Sequence, residues 1–244
     1  MSKHLVSAML FVALVPALPS RLSPLVLRGS TLAAQAVGSL PEASPFSDLH
    51  DRQRLGIVGG YLFTGRDPVG VNPQSGALMG LRYDFYAGGP AYLTGRFFTV
   101  RSEREILDYT KKRAFRSVGS QTCNIWGTDV GLAIALTGDR SWHKVQPLVN
   151  VGVGVVGGAG DKQDVSHFSF SPTFAFSYGL GLRWVTGRNS EFRADVSWYY
   201  WQMKYPDLYR STQGDSVAIR PSGSMSPYVG NRALTLSYTL GIFR

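Results

Sequence analysis

The last stretch of the chain, residues 231–243, has a strict period of two. From Leu234 to Ile242 every second residue is large and apolar, and the residues between are small or weakly polar. Successive side chains of a β-strand point to opposite faces, so this pattern predicts a strand with one apolar and one small, polar face. A soluble sandwich or barrel could turn such an apolar face inward. The recurrence of the pattern and the nature of the opposite face therefore decide the fold class.

Alternation recurs along the chain and predicts eight strands. They occupy residues 54–64, 75–86, 91–101, 125–137, 145–155, 167–185, 191–203 and 231–243. Connections after the second, fourth and sixth strands are short, and those after the odd-numbered strands are longer. Outer-membrane barrels show this asymmetry, with short periplasmic turns and long external loops. Ten strands stay open as an alternative if the loop around 217–219 pairs with a neighbour.

The composition of the two faces indicates which one points outward. Glycine, alanine, serine and arginine lie opposite leucine, valine and phenylalanine, and lysine and glutamate are nearly absent from the strands. A solvated face normally carries many charged side chains, so the small-residue face is not the outside of a soluble barrel. Small residues instead fit the narrow interior of an eight-stranded barrel. The predicted fold is all-β, an eight-stranded antiparallel up-and-down transmembrane β-barrel.

Charged side chains on the predicted inner face are expected to form ion pairs across the lumen, because an isolated buried charge is costly. These residues are Arg82, Asp84, Asp129, Arg183, Arg193 and Asp195. A turn at 187–190 places Arg183 almost opposite Asp195, which predicts that these two residues pair. The alternative interpretation is an ordinary solvated strand face.

The N-terminus has the pattern of an export signal. Lys3 and His4 lead into an apolar run from Leu5 to Leu18, and the small residues around Ala36 fit a cleavage site. Residues 1–36 are therefore predicted to be a signal peptide, 37–53 a mobile periplasmic leader and 54–244 the barrel. A cut after Ala17, a misplaced start codon and an N-terminal anchor or buried helix stay open.

Charge and cysteine content bound the partners. The formal net charge is +9, and for an exported chain this favours anionic lipid headgroups over nucleic acid. The basic segment Lys111, Lys112 and Arg113, with Arg116, is predicted to contact lipopolysaccharide phosphates or another anionic surface. Cys123 is the single cysteine, which excludes an internal disulfide and a metal site built from cysteines. No cofactor and no metal are predicted.

The strand pattern, the loop asymmetry, the export signal and the ending Leu-x-Tyr-x-Leu-Gly-Ile-Phe at 236–243 together resemble one family. The chain is similar over about 54–243 to the small eight-stranded outer-membrane barrels of the OmpA-domain and OmpX type. This resemblance implies an outer-membrane location, recognition by the barrel-assembly machinery and a non-enzymatic structural, adhesion or surface-binding role.

Two alternative functions stay open. His167 and Ser169 look like the His-x-Ser of outer-membrane lipid A deacylases, in which the two side chains share one face of a strand. That family has Asn after the Ser, whereas Phe170 follows here, and the nearest downstream acid, Glu191, is predicted near the opposite end of the barrel. The second alternative is a soluble lipocalin-like periplasmic binder, whose lumen would have to be free for a ligand.

Overall fold

A computed structural model describes residues 44–48, 53–187 and 189–243. Its strands, numbered in chain order, are β1 (Phe46–Asp48), β2 (Gln53–Phe63), β3 (Gly76–Gly88), β4 (Ala91–Val100), β5 (Glu103–Leu107), β6 (Ser117–Thr122), β7 (Asn124–Ala135), β8 (Arg140–Trp142), β9 (Val145–Ala159), β10 (Thr173–Val185), β11 (Ser190–Gln202) and β12 (Tyr228–Phe243). Two short 3-10 helices, Arg113–Phe115 and Asp207–Arg210, lie in connections. Among the described residues no helix is long and apolar enough to cross a membrane.

Eight of these strands close into an antiparallel barrel. The order runs β2-β3-β4-β7-β9-β10-β11-β12, and β12 pairs with β2 to close the ring. This confirms the predicted eight-stranded barrel. The loop around 217–219 adds no strand, so the ten-stranded alternative is wrong. The two further strands of the sheet are the short β1 and β8, which extend one rim.

The strand register fixes the width of the barrel. Starting at Phe63 on β2, we move from each residue to its paired residue on the next strand, through Arg232 and Phe85, and return to β2 at Gln53. Gln53 lies ten residues from Phe63, and this offset is the shear of the barrel. A shear of ten over eight strands corresponds to a strand tilt of about 40° at ordinary strand spacings. The interior of such a barrel is just wide enough for side chains to fill it.

The connections follow the predicted asymmetry. Short turns join β3 to β4, β7 to β9 and β10 to β11 at one end, called here the turn side. The longer connections lie at the other end, the loop side, where β5 and β6 form a separate two-stranded hairpin.

Several predicted boundaries differ from the structure. The sixth predicted strand began at residue 167, but β10 begins at Thr173, because His167 has a left-handed φ of 60° and Pro172 has no amide hydrogen to donate. The last strand begins at Tyr228, earlier than predicted. In the predicted mobile leader, residues 46–48 form β1 and pair with β8. The predicted signal peptide lies outside the described residues.

The apolar face of the strands points outward. Leu236, Val151 and Phe176 are 65%, 50% and 37% exposed, although none of them lies at the end of its strand. Their chain neighbours on the opposite face, such as Ser177 and Ser237, are buried. The predicted orientation is therefore confirmed: bulky apolar side chains cover the outside, and small or polar ones fill the lumen.

Glycines on the inner face let the backbone of one strand approach the next. A Cβ added at Gly154 on β9 would lie 2.0 Å from the carbonyl oxygen of Thr128 and 2.7 Å from the Cα of Asp129 on β7. Gly95 on β4 lies on the outer face, where an added Cβ would meet nothing within 4 Å. The two positions therefore tolerate side chains very differently.

We expect Gly154→Val to destabilise the barrel by at least about 3 kcal/mol, because β7 and β9 would have to separate. The matched substitution Gly95→Val should change stability by less than about 1 kcal/mol. Urea unfolding followed by tryptophan fluorescence in detergent measures both. Equal effects of the two substitutions would contradict the assignment of faces.

Candidate functional site

The middle of the lumen contains a network of buried charges on β3 and β11. Asp195 accepts hydrogen bonds from Nη1 of Arg82 at 2.9 Å and from Nε of Arg193 at 2.9 Å. Asn150 on β9 donates to the same carboxylate at 3.1 Å. Asp84 accepts from Nε of Arg82 at 3.0 Å and lies 3.7 Å from Nη1 of Arg193. Two arginines and two aspartates thus cross-link the walls of the barrel.

A second pair lies on β4 and β7. Arg96 donates to Asp129 through Nε at 2.8 Å and Nη2 at 2.6 Å, in a bidentate arrangement. The same guanidinium also donates to Ser177 Oγ at 3.0 Å. Bidentate charge-assisted hydrogen bonds are among the strongest in proteins. The predicted set of lumen residues included Asp129 and not Arg96, although the inward parity of Arg96 on β4 is visible in the sequence.

A third group of ion pairs lies toward the turn side, and one prediction made for it is wrong. Arg183 does not pair with Asp195: its Nε lies 3.2 Å from Glu191, and its backbone partner is Arg193. The turn includes Thr186, whose amide bonds to Ser190, and the residue opposite Arg183 is two positions before the predicted Asp195. Glu191 also lies 3.4 Å from Arg54. The predicted set of lumen residues included neither Glu191 nor Arg54.

Toward the loop side the lumen becomes apolar and the loops cover it. A buried cluster fills this end, with Leu62, Phe98, Ile125, Trp201 and Met203 from the strands and their ends. Three rings from the loops pack over it: Phe168 lies with its centroid 6.3 Å from Tyr205 and 6.1 Å from Tyr209. These three loop residues and their neighbours are called here the loop cap.

Asp67 joins the loop between β2 and β3 to the loop between β11 and β12 by hydrogen bonds. Its carboxylate accepts from the hydroxyl of Tyr205 at 2.6 Å and from the backbone amides of Gly70 and Asn72, each at 2.9 Å. Burial and this carboxylate raise the pKa of Tyr205 above its usual value, so the phenol keeps its proton. Asn72 in turn accepts from the indole of Trp201 at 3.2 Å.

Arg104 on β5 fastens the hairpin to the loop between β9 and β10. It is fully buried, and it donates to Asp161 at 2.7 Å, to Asp164 at 3.0 Å and to the carbonyl of Phe168 at 3.0 Å. Burial opposes the charge, but the bonds to the two aspartates outweigh it and raise the pKa of Arg104. Cys123 lies buried nearby, where desolvation raises the pKa of its thiol to about 12. The thiol is therefore protonated and unreactive.

The predicted basic segment divides into two parts. Lys111, Lys112 and Arg113 are exposed at the end of the β5–β6 hairpin, and Lys111 lies 3.9 Å from Asp108. Arg116 is only 7% exposed, because its guanidinium donates to the carbonyls of Lys111 and Val217. Arg116 therefore positions the hairpin, and its predicted role as a surface contact is wrong.

The residues of the deacylase alternative lie in a loop and not on a strand. His167 is exposed, and Ser169 Oγ lies 3.3 Å from Ser171 Oγ. In the part of the chain that the structure describes, no hydrogen bond joins His167 to Ser169. Glu191 is occupied with Arg54 and Arg183. The same described ranges contain no group of three or more His, Cys, Asp or Glu that could hold a metal ion.

We expect Asp195→Asn to destabilise the folded barrel by about 3–5 kcal/mol, because Arg82 and Arg193 lose one of the two carboxylates that they share while the shape is kept. Asp207→Asn is the matched control, since Asp207 is exposed in a loop, and it should have little effect. Urea unfolding in detergent measures both variants. A loss below about 1 kcal/mol for Asp195→Asn would contradict the role of the network.

No family profile and no curated protein matches the chain. Among solved structures, it is similar to Neisserial surface protein A, with 8% identity over 82% of this chain and 98% of that one and a TM-score of 0.46. The chain is 10% identical to OprG of Pseudomonas aeruginosa over 80% of this chain and 99% of that one, with a TM-score of 0.42. It is 14% identical to the outer membrane enzyme PagL over 78% of this chain and 99% of that one, with a TM-score of 0.38. OprG and PagL are outer-membrane proteins, and the closed eight-stranded antiparallel barrel found here is established by this chain's own strand pairing.

Proposed function

We propose that this chain is an integral outer-membrane barrel without catalytic activity, which presents ordered loops at the cell surface. The observation that carries the proposal is the continuous apolar outer face of a closed barrel. Exposed large apolar side chains cover all eight strands, from Ile57 on β2 to Leu240 on β12. An exposed apolar surface of this extent marks contact with another apolar phase, and a closed barrel leaves no unpaired strand edge in hydrocarbon.

The filled lumen argues against the lipocalin-like alternative. Beside Arg82 and Arg96 the described barrel has cavities of about 20 and 10 Å³, each with room for about one water molecule. A binder of small molecules needs a pocket of roughly 300 Å³ or more. Ion pairs in the middle and the loop cap at one end fill the described lumen. A larger groove of about 680 Å³ is lined chiefly by outward residues of the wall, such as Leu182, Trp184 and Leu236.

The loops supply the surface role. Exposed cations at the end of the β5–β6 hairpin are held in place by the buried Arg116 and by Asp215, whose carboxylate accepts from the amide of Arg113 at 2.9 Å. A fixed group of three cations attracts anionic surfaces, lipopolysaccharide phosphates among them. Because His167 and Ser169 lie in a loop without an assembled acid, the arrangement favours binding over hydrolysis.

Electrophoresis of the membrane fraction with and without boiling tests the membrane assignment. We expect the unheated protein to migrate as a distinct folded band, because a closed barrel keeps its backbone hydrogen bonds in detergent, and boiling should abolish this band. Leu236→Arg should reduce the folded fraction, whereas Val217→Arg, an exposed loop position, should not. Recovery of the protein in the soluble periplasmic fraction would contradict the proposal.

Neutralising the hairpin cations tests the surface role. Lys111→Gln, Lys112→Gln and Arg113→Gln combined should weaken binding of the reconstituted barrel to lipopolysaccharide vesicles by roughly tenfold or more at low salt, and added salt should weaken wild-type binding too. Lys112→Gln can be compared with Lys144→Gln, an exposed lysine on the turn side. Unchanged binding by the triple variant, or equal losses in the two single variants, would contradict this role.

A further inference from the structure

The outer face of the barrel carries an isolated cation. Along the described residues of the eight barrel strands, the charged side chains point inward with one exception, Arg232 on β12. Arg232 is exposed, whereas its chain neighbours Asn231 and Ala233 are buried in the lumen. It therefore projects from the same face as Leu234 and Leu236, among side chains that contact lipid under the proposed function.

The surroundings of Arg232 are aromatic. Its two cross-strand partners are Trp198 on β11 and Phe63 on β2. Trp198 stacks on Tyr178, with centroids 5.4 Å apart and ring planes at 13°. Gly230, two residues before Arg232 on β12, leaves room for the ring of Tyr200, because a Cβ added at Gly230 would lie 3.0 Å from Cε1 of that ring. Such ring clusters are typical of the interfacial girdle, where apolar ring bodies meet polar headgroups.

Unlike the arginines of the lumen, Arg232 has no carboxylate partner among the residues that the structure describes. Arg82, Arg96 and Arg193 each lie within 3.0 Å of a carboxylate. Among the residues that the structure describes, none forms a hydrogen bond or an ion pair with Arg232. A cation on a lipid-facing strand is costly unless it reaches the headgroup layer and a counter-charge there. The required partner must therefore come from the lipid.

The position of Arg232 along the strand specifies which leaflet supplies that partner. Arg232 is the third outward residue from the loop-side end of β12, after Tyr228 and Gly230. A second cation is near, because the exposed Arg66 follows Gly65, whose amide bonds to Asn231 at 3.0 Å. The loop-side edge of the apolar face thus carries Arg232 and a group of rings, and Arg66 lies exposed in the loop that follows β2.

We propose that Arg232, with the rings around it, binds the phosphate group of a lipid headgroup in the outer leaflet. A guanidinium presents paired donors that match phosphate oxygens bidentately, and Trp198 and Phe63 flank the site with apolar surface for the adjoining part of the lipid. The inference rests on the proposed membrane location. It assigns a ligand class to the outer wall of the barrel, away from the cations of the hairpin.

Native mass spectrometry of the full chain in detergent tests this site, with diphosphoryl lipid A and its dephosphorylated counterpart as probes. Wild-type protein should retain the phosphorylated lipid, and Arg232→Gln should lower the retention about tenfold, as expected for loss of a charge-assisted hydrogen bond. Arg232→Lys, which keeps the charge but not the paired donors, should lose less. The dephosphorylated lipid should be retained equally by wild type and Arg232→Gln.

Lys144→Gln is the charge-matched control, because this exposed lysine lies on the turn side, and it should retain the lipid like wild type. Equal retention by wild type and Arg232→Gln, or equal losses in Arg232→Gln and Lys144→Gln, would overturn the inference. Displacement of the lipid by millimolar inorganic phosphate would identify a site for the free anion and overturn the lipid assignment. If wild type shows no heat-modifiable folded band, the membrane location itself fails; a normal band with unaffected retention contradicts only the role of Arg232.

Discussion

The pairing of β12 with β2, the last and first strands of the barrel, is the interaction on which the rest of the structure depends. A strand edge facing hydrocarbon would leave a row of amides and carbonyls unpaired, and the β12–β2 ladder removes that edge. The same ladder, with its shear of ten, fixes the width of the lumen. The inner side chains have to fit that width, which explains why glycine and serine alternate with the bulky outward residues.

Closure also explains the division of the lumen into layers. In the middle, walls too close for a water-filled channel bring opposite charges within hydrogen-bond distance, as between Arg82 and Asp195. Nearer the loops the strands carry apolar inner residues, and Phe168 and Tyr205 from the loops complete their packing. The barrel is thus sealed by two different kinds of contact, one electrostatic and one apolar.

Period-two patterning was sufficient to predict the eight strands, their orientation and the inward position of Asp84, Asp129 and Arg193, because parity along a strand is a local property. Register was predictable only to within two residues, since the composition of the turn does not show that Thr186 belongs to it. Loop contacts were beyond reach: Arg116 is buried by Val217, about a hundred residues away in sequence, and no periodicity marks such a contact.

Arg104, held by Asp161, Asp164 and a backbone carbonyl, has one further consequence. It joins the β5–β6 hairpin to the loop between β9 and β10, which is far from it in sequence, so the two segments form one continuous outer surface. Antibodies raised against the folded protein would recognise this composite shape, whereas those raised against isolated loop peptides would meet a conformation that the peptides do not keep. A substitution at the buried arginine would then alter the antigenic surface without changing any residue on it.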